Sequence, residues 1–335
     1  MSDVQHAHSV MAPVFEALQS HEGVAEVLNT VAREAKFRMC HPFGELHGAD
    51  AFVSDVLGPL RAAIPDLQRQ EIIRIAGFDA GGALWVGSGG HYAGRWIEPW
   101  LGIPSTGRSA SMRFHEFYRI DGGACVEMQA IWDIPEMMMQ AGVWPMALQL
   151  GRFLHAPAPM TQDGLGPHDS ALSESSFHHV IDMLTAMGRH PSKGGPEVME
   201  LDRYWHSDFM WYGPAGIGTA CGVEEFRRFH QIPFLNAMPD RGQHPEGTQH
   251  HFMAEGAYVG VTGWPNMQQT LSGDGWLGLP PTGQMITLRS LDFWRLENGR
   301  IRENWVLVDL LDMYAQIGVD VFARMKELAW SRGYR

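Results

Sequence analysis

Apolar side chains recur every three to four positions through two widely separated stretches of the chain. Phe52, Val53, Val56, Leu57, Leu60 and Ile64 form one stripe, and Phe226, Phe229, Phe234 and Leu235 form another, the spacing that lines one face of an α-helix. Pro59 and Pro233 fall inside these stripes; a helix interior needs the amide proton that proline lacks, so each helix is expected to bend there. Helical patterns also precede them at 10–18, 24–31 and 177–187. The pattern then becomes strand-like, predicting strands over 71–77, 84–92, 112–120 and 126–132, and later over 286–296 and 301–308. Helices followed by a run of strands argue for an α+β fold, with N-terminal helices packed on one face of a curved antiparallel sheet.

The chain contains this plan twice. The run Trp100-Leu101-Gly102-Ile103-Pro104-Ser105-Thr106-Gly107 returns as Trp276-Leu277-Gly278-Leu279-Pro280-Pro281-Thr282-Gly283, 176 residues later. The same offset pairs Arg113 with Arg289, Phe117 with Phe293, Arg119 with Arg295, Glu127 with Glu303 and Asp133 with Asp309. Upstream, Pro59 and Pro65-Asp66 match Pro233 and Pro239-Asp240 at an offset of 174. A long repeat present only twice describes two domains and not a solenoid. Residues 156–172 concentrate Pro, Gly and polar side chains where neither copy has a counterpart. The expected division is therefore a first domain over 1–155, a linker over 156–172 and a second domain over 173–335.

Asn298-Gly299 favours a two-residue type I′ turn. With that turn Leu296 opposes Ile301, Trp294 opposes Glu303, Asp292 opposes Trp305, Ser290 opposes Leu307 and Leu288 opposes Asp309. Alternation then predicts one face bearing all eight of the residues from Leu288 to Trp294 and from Glu303 to Asp309 that occupy these positions. The same construction around Gly122-Gly123 gathers Met112, Phe114, Glu116, Tyr118, Glu127, Gln129, Ile131 and Asp133. Asp309, between Val308 and Leu310, and Asp133, between Trp132 and Ile134, are the candidate catalytic residues. A carboxyl desolvated among apolar neighbours has its pKa raised toward working pH and can both take and return a proton. The competing role for each is to cap the helix that follows. Asp292 and Glu116 are candidates for lining a pocket or orienting polar groups. Trp305, Trp294, Tyr118 and Phe114 are candidates for stacking on a flat ligand, and His251, His91 and Trp264 for a pocket wall. Glu303 and Glu127, near the hairpin's mouth, are expected to be solvated or ion-paired.

Thirty-eight acidic and 25 basic side chains give a formal charge of −13, which repels nucleic acid and anionic membranes. Neither is expected as a partner. The beginning of the chain lacks a basic segment followed by an apolar core, and no run reaches the length of a membrane span. Cys40, Cys125 and Cys221 are an odd number without C-x-x-C spacing, so a reducing, cytoplasmic setting without a disulfide framework is expected. His178-His179, and His244 with His250-His251, are the histidine clusters. Adjacent histidines diverge on a helix or strand, so no metal is expected. No nucleophile-elbow, phosphate-loop or dinucleotide motif occurs, and no cofactor is expected. Twelve tryptophans and 20 methionines suit either large cores or pockets for flat apolar ligands.

The run from Leu291-Asp292-Phe293-Trp294-Arg295 through Glu303-Asn304-Trp305, Asp309 and Gln316-Ile317-Gly318 resembles the C-terminal signature of SnoaL-like polyketide cyclases. The earlier Tyr212-Gly213-Pro214-Ala215-Gly216-Ile217-Gly218-Thr219, followed by Gly222, resembles another stretch of that family. The resemblance implies two nuclear transport factor 2-like cone domains, with Tyr212 in the substrate-binding set. It implies that Asp309, and by the repeat Asp133, acts as general acid/base in an aldol-type cyclisation or isomerisation of a carbonyl-bearing, polyketide-like molecule. The first copy departs from the pattern in placing Pro135 and Met137-Met138-Met139 after its aspartate. Two other readings remain open, a hydrolase in which an aspartate activates water toward an epoxide or lactone, and a non-catalytic module for hydrophobic ligands or assembly. The expected partner is a small hydrophobic or aromatic molecule. Related cones pair through their sheets, so the tandem copies are expected to pair within one chain, and a homo-oligomer is compatible with the same surfaces.

Overall fold

A computed structural model describes residues 2–20 and 22–333. The chain divides into two compact units, one running to Pro145 and taking back the segment from Gly318 onward, the other spanning Met146–Ile317. In the first unit α1 (Asp3–Ser20) and α2 (Val24–Val31) lead to β1 (Lys36–Met39) and β2 (Gly44–His47), then α3 (Ala49–Phe52) and α4 (Gly58–Ala63). The strands β3 (Gln68–Phe78), β4 (Leu84–Arg95), β5 (Ser109–Asp121) and β6 (Ala124–Trp132) follow, closed by α5 (Ile134–Gln140). The second unit has α6 (Ser173–Met187), α7 (Leu201–Tyr204), β7 (Trp205–Tyr212), β8 (Thr219–Cys221), α8 (Gly222–Phe226) and α9 (Ile232–Ala237). It continues with β9 (His251–Glu255), β10 (Tyr258–Thr262), β11 (Met267–Thr270), β12 (Met285–Leu288), β13 (Ser290–Glu297), β14 (Arg300–Val308) and α10 (Leu310–Gln316). A last helix, α11 (Val321–Ser331), belongs to the first unit.

Both units are α+β, each with a six-stranded sheet in the orders β2-β1-β6-β5-β4-β3 and β8-β7-β14-β13-β10-β9. The pairings are antiparallel except for one in each sheet, β1 with β6 and β7 with β14, which run parallel. Helix α1 lies against β3 and β4, and α6 against β9 and β10. The prolines are met differently from a simple kink: five-residue π-helical turns, Val53–Leu57 and Arg227–Gln231, stand immediately ahead of the helices that begin around Pro59 and Pro233. Widening the turn gives room to a ring that would otherwise strike the carbonyl four residues back.

The expected hairpin turn is present, with Asn298 and Gly299 at φ 50° and 72°, but the register beyond it differs. After Leu296 pairs with Ile301, Arg295 pairs with Glu303, leaving Arg302 as the extra residue of a β-bulge; Phe293 then opposes Trp305 and Asp292 opposes Val306. The first copy has the same bulge, Ile120 opposing Cys125 and Arg119 opposing Glu127. One unpaired residue reverses the faces of everything after it. Ser290, Asp292 and Trp294 therefore share a face with Val308, Val306 and Asn304, while Glu303, Trp305 and Leu307 stand on the opposite face with Arg295, Phe293 and Leu291.

The two copies also differ where β3 meets β4. Those strands run 11 and 12 residues, whereas β9 and β10 run 5 each. Pro265 cannot donate to a ladder, and the strand stops ahead of it. Asn266 mends the gap, its Oδ1 accepting from Ser290 N at 2.9 Å and its Nδ2 donating to Ser290 O at 2.6 Å. Gly263 is required here because a Cβ on it would lie 1.8 Å from the Gln249 carbonyl oxygen.

The segment over 156–172 is held by the second unit. Trp305 Nε1 donates to Pro157 O at 3.0 Å, Met160 N to Glu303 at 3.2 Å, and Tyr258 OH to Asp163 at 2.5 Å. Residues just before it extend the edge of the sheet, Arg152 bridging to Thr219. No helix among the described residues is long and apolar enough to cross a membrane.

Candidate functional site

A cavity of about 500 Å³ lies in the second unit, within the range of small-molecule sites. Strands β13 and β14 line it with Ser290, Asp292, Trp294, Asn304, Val306 and Val308, the face set by the bulge. The π-helical turn contributes two successive residues, His230 and Gln231. Trp276 enters from the repeated Trp-Leu-Gly turn, in which Trp276 and Leu279 exchange backbone hydrogen bonds of 2.9 Å. That turn holds Leu277 at φ 50°, a left-handed conformation that costs a non-glycine residue about 1–2 kcal/mol.

Asp292 is half-buried, and one of its oxygens accepts from Ser290 Oγ at 2.6 Å. His230 stacks on Trp211, ring centroids 4.4 Å apart and planes at 17°. Burial, with the positive charge of Arg241 adding to it, pushes the imidazole pKa down to about 3, so His230 is neutral near pH 7 and offers one donor and one acceptor. Five buried polar atoms of lining residues have no partner among the described residues: His230 Nδ1, Gln231 Oε1, Gln269 Nε2, Trp205 Nε1 and Trp294 Nε1. Each such atom costs about 1–3 kcal/mol when left unpaired. A molecule bringing partners to them recovers that cost.

The first copy fills the matching interior. At the repeat offset, Phe114 stands for Ser290 and Trp132 for Val308, so two large rings replace two small side chains. Glu116, the counterpart of Asp292, is fully buried. It accepts from Arg69 Nη2 and Tyr118 OH at 2.7 Å and from Tyr92 OH and Trp132 Nε1 at 3.0 Å. Arg69 lies over the rings of Phe114 and Phe15, at 4.3 and 4.9 Å. Burial disfavours its charge, yet Glu116 keeps its pKa above the ordinary value.

Of the residues singled out from sequence, Asp292 and Trp294 line the cavity together. Asp309 is buried but lies outside that lining. It caps α10, accepting from Asp312 N at 3.2 Å, and meets Arg289 Nη1 at 3.1 Å. Asp133 stands at the N-terminus of α5, 3.7 Å from Arg113. Trp305 and Tyr212 pack on each other, centroids 5.4 Å apart, on the face opposite the cavity. His251 begins β9 beside the lining residue Phe252. Trp264 carries the Arg289 guanidinium over its ring at 4.5 Å. In the first unit Phe114 and Glu116 are interior and His91 is buried within 3.3 Å of Ser111 Oγ. Glu303 is buried and paired with Arg295. Sequence reasoning passed over His230, Gln231, Gln269 and Arg241. The exchange of Phe114 and Trp132 for Ser290 and Val308 was the available signal that one copy opens.

The capping cluster gives a pH-dependent expectation. Glu136 accepts from Arg113 N at 3.0 Å; burial, with the Asp133 carboxylate beside it, raises its pKa from the ordinary 4.5 to about 8. A raised carboxyl pKa makes the folded chain bind the proton more tightly than the unfolded one, so stability falls as pH rises from about 5 to 8. Glu136→Gln keeps the acceptor and removes the titration. Its Tm relative to wild type is expected to be higher at pH 8.5 than at pH 5; an equal difference at both would contradict the assignment.

IdmH from Streptomyces antibioticus matches at 22% identity over 40% of this chain and 96% of its own, TM-score 0.34. TsrD from Streptomyces laurentii matches at 18% over 42% and 98%, TM-score 0.35. An NTF2-like protein from Burkholderia thailandensis E264 matches at 21% over 40% and 95%, TM-score 0.32. No curated protein matches the chain. The family model of SnoaL-like polyketide cyclases matches residues 9–141 and again 195–317, well over half of the sequence, and the protein belongs to that family.

Proposed function

We propose that the second copy is a cofactor-independent acid/base enzyme of cyclase or isomerase type, acting on a carbonyl-bearing small molecule, with Asp292 as the group that moves the proton. One observation carries this reading: Asp292 is a carboxyl on the wall of a largely apolar cavity that also presents tryptophans and unpaired hydrogen-bonding atoms. The Asp292 carboxylate takes a proton from the carbon next to a carbonyl, and the electron pair of that C–H bond moves onto the carbonyl oxygen. Trp294 Nε1 and Gln269 Nε2 are donors of the kind that stabilise such an oxyanion. The enolate carbon then bonds to a second carbonyl carbon of the same molecule, or is reprotonated elsewhere. In either case the proton on Asp292 returns to product. Asp309, which the family resemblance implies for this role, is assigned the capping of α10 instead.

Ser290→Phe with Val308→Trp copies the packing of the first unit into the second. The double variant is expected to remain folded by circular dichroism and to lose both binding of aromatic ketones and deuterium uptake at the α-carbon of a 1,3-diketone in D₂O. Exchange at the wild-type rate in the filled protein would place the chemistry elsewhere. Oxygen from labelled water appearing in a product would favour the hydrolase reading over cyclisation.

A further inference from the structure

The loop between α9 and β9 brings Arg241 to the cavity, beside His230. An arginine drawn into an apolar site normally has a carboxylate with it, because stripping water from an unpaired charge is costly. Arg241 has none: among the described residues no Asp or Glu oxygen lies within 4 Å of its guanidinium, and its side chain makes no hydrogen bond. The neighbouring Asp240 is committed elsewhere, accepting from Thr270 N at 2.9 Å and lying 3.0 Å from His244 Nε2. Withdrawal from water lowers the Arg241 pKa, and no nearby anion offsets it. The other basic groups on the cavity wall do not compete, since His230 and His250 are held neutral by burial and His244 faces Asp240.

We propose that Arg241 is the recognition site for a carboxylate on the substrate, so that the molecule taken by this cavity is a carbonyl compound bearing a free carboxylic acid. A guanidinium fork meets a carboxylate through two parallel hydrogen bonds. A single cation suits a monoanion, whereas a phosphoryl group calls for more positive charge than the wall provides. The inference deepens the proton-transfer reading by naming a substrate class: the acid anchors one end while Asp292 addresses a carbon elsewhere in the molecule.

The test uses the whole protein and two probes of one shape, 2-naphthoate and its methyl ester, followed by quenching of the cavity tryptophans. Wild type is expected to bind the acid at least about tenfold more tightly than the ester. Arg241→Met is expected to bring the acid down to the ester's affinity and leave the ester unchanged. Equal affinities in wild type, or a preference for the acid that survives Arg241→Met, would overturn the proposal. The wild-type comparison stands even if the variant misfolds. Binding is the readout, so a protein that prefers the acid but exchanges no deuterium removes the proton-transfer reading alone. Exchange without any preference removes this one alone.

Discussion

Asp292→Asn is expected to lower turnover by about 10²–10⁴-fold while leaving affinity for substrate nearly unchanged. Asparagine has the same shape, and its oxygen can still accept from Ser290 Oγ, the 2.6 Å bond that orients the wild-type carboxylate. What it loses is the ability to hold a proton. Loss confined to kcat, with KM and melting temperature intact, is the pattern of a group that acts in the transition state. Asp309→Asn is the companion measurement. It weakens the pairing with Arg289 at the start of α10, so its effect belongs in stability, with turnover per folded molecule retained. The reverse outcome, an active Asp292→Asn and a folded but inactive Asp309→Asn, would return the role to the residue that the family resemblance implies.

The largest loss of stability is expected from Glu116→Ala. Four donors converge on that carboxylate, and Arg69, nearly inaccessible itself, has its charge answered there. Tyr92 and Tyr118 have pKa values raised by burial and by Glu116, so both hydroxyls remain donors. Removing the acceptor takes away the nearer of the two carboxylates that answer the buried guanidinium and leaves only Glu71, 3.7 Å away, a change expected to cost up to about 3–5 kcal/mol. Denaturant titration of the first unit's transition would measure it. The double variant Arg69→Met with Glu116→Leu is expected to regain most of the loss, since replacing both charges removes the desolvation as well as the attraction. A cost below about 1 kcal/mol for the single change would mean that the network contributes little.

Much of this architecture is legible in the sequence. The duplication, the helices ahead of the strands and the Asn298-Gly299 turn all follow from local pattern, because each rests on side-chain periodicity or on a dihedral preference of one or two residues. The face of the final strand is not legible. Arg302 and its counterpart Val126 share no chemistry that marks a bulge, and one extra residue was enough to group Asp309 wrongly with Asp292. The opening of the cavity lies between these cases, since comparing Phe114 and Trp132 with Ser290 and Val308 shows where volume is lost. Arg241 and His230 sit in a loop and a π-helical turn, whose course depends on packing that no periodicity encodes.

The plugged interior of one half and the hollow interior of the other bear on why a single gene should hold both. A symmetric dimer of identical subunits carries every mutation twice, so a change that hollowed one member would loosen its twin at the same stroke. Joining the two halves in one polypeptide lets selection keep Trp132 as ballast in the first and discard it as Val308 in the second. A difference between a rigid half and a hollow one becomes heritable.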